Sequence, residues 1–62
     1  MASDLLPITL PEMLAELERE IALRKRVYPR WVQAGRLSAA KAERQIEVME
    51  QLAEYLKGIT AR

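Results

Sequence analysis

Arg26–Ser38 reads RVYPRWVQAGRLS, and the fold turns on whether its proline ends a helix or lies inside one. Proline removes a backbone hydrogen bond and disfavours the helical conformation of the residue before it, at a cost of about 3 kcal/mol in a helix interior. A helix ending at Tyr28 leaves a connection of roughly ten residues before the next helix start, longer than helix hairpins favour. Trp31 and Val32 instead carry the apolar register past Pro29, and Gly35 is the next residue suited to cap a helix, three residues before Ser38. The stretch therefore predicts helix 1 over about 11–34 with a kink at Pro29, then a short turn. Termination at Tyr28 is the alternative.

Outward from the turn, each arm repeats one pattern. Toward the N-terminus, Leu14, Leu17, Ile21, Tyr28 and Trp31 follow alternating steps of four and three, interrupted by Arg24. Thr9 and Glu12 have the spacing of a capping box, with Pro11 tolerated in the first turn. Toward the C-terminus, Ser38 is a good N-cap, and Ala42, Ile46, Met49, Ala53 and Leu56 repeat the spacing. Gly58 reads as the C-cap, so helix 2 is expected over about 39–57. The expected organisation is an irregular arm at 1–9, a helical hairpin at 10–58 and a short tail at 59–62.

The apolar faces of two such helices are too wide for each other. Val48, Leu52, Tyr55 and Ile59 form a second stripe on helix 2, and Met13, Leu23 and Val27 lie outside the main seam of helix 1. A lone hairpin has no further layer to cover them, and apolar surface of that extent marks association. The expected fold is thus an all-α antiparallel hairpin that dimerises into a four-helix bundle. Its core and dimer residues are Leu14, Leu17, Ile21, Tyr28, Trp31, Ile46, Met49, Leu52 and Leu56. Reservation of the open face for a different protein is the other reading.

A chain of 62 residues is near the lower limit for a self-sufficient core. It has no Cys and no His, which excludes disulfides and removes the usual zinc and haem ligands. No cofactor or metal is expected, and no nucleophile–base constellation or phosphate-cradling loop is present, so the chain does not read as an enzyme. No apolar run approaches the roughly 20 residues of a membrane span, which makes a cytoplasmic protein without a membrane partner the expectation.

Charge is segregated although the net charge is only +1. Between Ile21 and Ala42 there is no acidic residue, while Arg24, Lys25, Arg26, Arg30 and Arg36 all lie there with Lys41. Folding into a hairpin brings these cations to the turn end, and the first five are the candidate partner-binding residues. Such a tip can bind an acidic protein surface or neutralise nucleic-acid phosphates, with Trp31 or Tyr28 stacking on a base if exposed. On helix 2, Glu43, Glu47, Glu50 and Glu54 form an acidic stripe. It either faces solvent or is matched by Arg19, Arg26 and Arg30 across the seam or the dimer.

Residues 16–56, with "RKRVYPRWVQAGRL" at their centre, resemble a family of very short proteins encoded by tailed phages and prophages that share an RxxVYPxWVxxGRL core. The resemblance implies an accessory protein that acts in the host cell by binding and modulating a host or phage protein. It carries over no catalytic residue. A nucleic-acid-binding accessory factor for replication, recombination or transcription, and a structural role in the virion, remain as alternatives.

Overall fold

Two capped starts and one glycine turn define the architecture. The computed structural model describes residues 7–61: α1 (Leu10–Gln33) and α2 (Ala39–Thr60) run antiparallel and pack against each other. Thr9 Oγ1 accepts a hydrogen bond from the Glu12 N–H at 3.3 Å, and Ser38 Oγ accepts from the Lys41 N–H at 3.1 Å. Each side chain satisfies a backbone donor that the first helical turn leaves free. Residues 7–9 are irregular, in keeping with part of the expected arm, while residues 1–6 and 62 lie outside the described residues.

α1 passes through Pro29 without interruption. Proline has no N–H, so the Lys25 carbonyl goes without its helical partner, and the continued apolar register at Val32 offsets the loss. The helix stops at Gly35, whose φ of 73° lies in the left-handed region open to glycine. There the Arg36 N–H donates to the Trp31 carbonyl at 2.9 Å and the Gly35 N–H donates to the Val32 carbonyl at 3.1 Å. This paired arrangement closes a helix C-terminus in a short turn.

The other glycine does not cap. α2 continues through Gly58 to Thr60, which corrects the expected end at 57 and shortens the expected tail. Gly58 keeps a negative φ, because Leu56 and Ile59 still have apolar surface to cover and Lys57 still has an ion-pair partner on α1. Thr60 Oγ1 donates back to the Leu56 carbonyl at 2.7 Å, in the last turn.

The seam joins bulky residues of α1 to small ones of α2. Ile21 and Tyr28 are buried on one helix and Ala42 and Ala53 on the other, with Leu14, Leu17, Ile46, Met49 and Leu56 half-buried beside them. Trp31, expected in the core, is 41% exposed, and Leu52 is 48% exposed. At about 100° per residue, Trp31, ten residues beyond Ile21, lies about 80° round α1 from it, at the margin of the seam. Val32, one turn beyond Tyr28, takes the seam position instead and is half-buried.

The result is a single layer of two helices, 13 Å through its thinnest dimension. Its radius of gyration is 14.6 Å, against about 10.6 Å for a compact chain of this length. The accessible surface is 5212 Å², against about 4,100 Å² for a compact monomer of this mass.

Candidate functional site

The two faces of this layer differ in chemistry: the ion pairs across the seam lie on one, and most of the exposed large apolar side chains lie on the other or along its margin. At about 100° per residue, Glu18, Ala22 and Lys25 fall on one side of the α1 seam, and Met13, Arg24 and Trp31 fall on the other. Ion pairs fix the matching side of α2. Lys25 Nζ lies 2.7 Å from Glu50 Oε2, and Lys57 Nζ lies 3.4 Å from Glu18 Oε2. Glu43, Glu47 and Glu54 lie on that same charged face, around two shallow grooves. Part of the acidic stripe is therefore matched within the hairpin, but by Lys25 and not by the arginines expected to do so. Arg19 instead pairs with Glu16 at 2.9 Å on its own helix.

The opposite face is apolar. Met13 and Trp31 on α1 and Leu52 on α2 are exposed there, and Leu23, Val48 and Tyr55 are exposed along its outer margins, Tyr55 by 67%. Trp31 packs beside Tyr28, with ring centroids 5.5 Å apart and the planes tilted by 35°. A hollow of about 280 Å³ opens between Leu23, Val27 and Trp31. Apart from Leu10 at the start of α1, the exposed large apolar side chains of the described helices thus lie on this side of the layer or along its margin, without internal cover.

One polar chain interrupts this face. Arg24 Nε donates to Glu20 Oε1 at 2.9 Å, Arg24 Nη1 donates to Tyr28 Oη at 3.0 Å, and Tyr28 Oη donates to Gln45 Oε1 at 2.8 Å. The hydrogen bond to Glu20, then that to Tyr28, raises the arginine's pKa above its ordinary value against a smaller opposing effect of burial. The position that breaks the apolar repeat of α1 is thus filled by a cation whose charge is met locally, and Tyr28 links it to α2.

The five candidate cations separate accordingly. Arg24 spends its guanidinium on Glu20 and Tyr28, and Lys25 spends its ammonium on Glu50, so neither is presented freely at the tip. Arg26, Arg30 and Arg36 are exposed, and no ion pair among the described residues engages them. The sequence reading missed Gln45 and both cross-seam ion pairs. A signal for the ion pairs was present: Glu18 and Lys25 are seven apart, as are Glu50 and Lys57, with the charges reversed as an antiparallel seam requires.

No helix of the described residues is long and apolar enough to cross a membrane. No protein-family model, curated protein or solved structure matches the chain.

Proposed function

We propose that the chain is a non-catalytic protein-interaction module of phage or prophage origin. It dimerises through its apolar face into a four-helix bundle and uses its basic tip to bind and modulate a host or phage protein. The observation that carries this reading is the division of the layer. An uncovered apolar face lies on one side and a charged face on the other, in a chain whose own core buries only four residues among those described. A core this thin gains most from a second layer, since burial of apolar area contributes about 25 cal/mol per Å². Once that face is closed, Arg26 and Arg36 stay accessible at the turn end.

Two measurements test the reading. Sedimentation should give twice the 7.1 kDa chain mass, and Leu52→Glu with Tyr55→Glu should return it to the monomer, because two carboxylates cannot be desolvated there unpaired. Tagged protein should retain a specific partner from host lysate after nuclease treatment, and Arg26→Glu with Arg36→Glu should release it while leaving the dimer mass unchanged. A monomer at high micromolar concentration removes the bundle. Loss of every partner on nuclease treatment makes the tip a nucleic-acid site instead.

A further inference from the structure

We infer that the second copy docks on the apolar face with its tip reversed, so that the tip of each hairpin covers the terminal end of the other. This rests on the proposed self-association and adds the orientation, which follows from where the outer-edge charges lie. Glu12 and Arg30 are each nine residues from Ile21, on opposite sides of it, and Arg44 is nine residues before Ala53. Nine residues is two and a half helical turns, so all three side chains point directly away from the seam, to the outer edges of the layer. All three are exposed.

Face-to-face docking of identical layers about a two-fold axis has two solutions. With the axis along the helices, α1 lies over the partner's α2, tip over tip. The seam register that pairs Lys25 with Glu50 and Glu18 with Lys57 puts Arg30 level with Arg44. Two copies then set Arg30 beside the partner's Arg44 along both outer edges, and like charges so placed repel. With the axis across the helices at Ile21, α1 lies antiparallel over the partner's α1. Arg30 then comes level with the partner's Glu12 and one turn from its Glu16, again along one edge and twice by symmetry.

The wider charge pattern favours the same choice. From Ile21 and Ala53 toward the turn there are seven cations and three carboxylates. Toward the termini, among the described residues, there are five carboxylates and two cations. Reversed docking superposes unlike halves, and tip-over-tip docking superposes like ones. The exposed apolar side chains span α1 from Met13 to Trp31 but α2 only from Val48 to Tyr55, so the strip does not by itself fix the arrangement, and charge decides.

The chain has no cysteine, so Gln33→Cys, an exposed neutral site at the end of α1, gives one spin label per copy. Residue 33 lies twelve residues from the axis in each copy, so pulsed dipolar spectroscopy of the dimer should give a separation of roughly 36 Å at 1.5 Å per residue. A separation below about 25 Å, where helices in contact lie 8–10 Å apart, overturns the orientation and leaves the dimer standing. A monomeric mass overturns both. An independent test reads the sign of a charge reversal: Arg30→Glu should weaken the dimer about tenfold, for two edge pairs of up to ~1 kcal/mol each. Glu12→Arg in the same chain should restore it. Tighter association of Arg30→Glu is the tip-over-tip result and would refute the inference.

Discussion

Replacing Tyr28 by phenylalanine is the sharpest probe of the seam. The ring stays, with its contact to Trp31, and only the hydroxyl that joins Arg24 to Gln45 is lost. A neutral hydrogen bond contributes about 0.5–1.5 kcal/mol net, and one to a charged group about 1.5–3 kcal/mol. The upper figure does not apply in full, because the Arg24 side chain is 37% exposed and keeps Glu20 as a partner. Tyr28→Phe should therefore cost about 1–2 kcal/mol, a fall in Tm of roughly 5–15 °C for a domain of this size. Circular dichroism melting at a fixed protein concentration reads it, since association itself shifts Tm. Gln45→Met in the same background isolates the tyrosine–glutamine bond, with an expected coupling of about 1 kcal/mol. An unchanged Tm for Tyr28→Phe, or strict additivity with Gln45→Met, would refute the view that this chain of side chains holds the two helices together.

Two further outcomes can be measured on the same footing. The glycines should respond with opposite signs, because a Cβ meets nothing within 4 Å at either one and backbone conformation alone decides. Gly35→Ala should destabilise by about 1–2 kcal/mol in the left-handed region, and Gly58→Ala should stabilise by about 0.8–1 kcal/mol within α2; the same sign at both positions would contradict the helix boundaries given above. Trp31 is the only tryptophan, so its fluorescence emission should shift to shorter wavelength as concentration drives association, and constant emission across a mass change would place the ring outside the interface.

The elements whose signals are local were legible in the sequence. Thr9, Ser38 and the turn at Gly35 act through bonds that span three to five positions, and the structure places them in their expected roles. Gly58 was misread because a glycine caps only where the chain turns left-handed, and what keeps α2 helical there is partly Glu18, on the other helix. Trp31 was misplaced because the four-and-three repeat drifts from the 3.6-residue turn of an α-helix, so a position ten residues from Ile21 falls at the margin of the seam. Arg24 was read as a gap in the stripe and then as a tip cation. Its local partners, Glu20 and Tyr28, are each four residues away and were visible in principle. Gln45, which completes the chain of bonds, follows only from the register of α2 on α1.

The short turn at Gly35 also orders events in time. Contact between Tyr28 and Gln45 closes a loop of 17 residues, whereas contact between Glu18 and Lys57 closes one more than twice as long. The entropy of closure grows with the logarithm of loop length, which makes the distant pair costlier by about 0.7 kcal/mol if it forms first. Closure from the turn outward avoids that difference, because each contact made brings the next within reach. The hairpin is thus a zipper whose first tooth is Tyr28, and the end that opens soonest is the one bearing its termini.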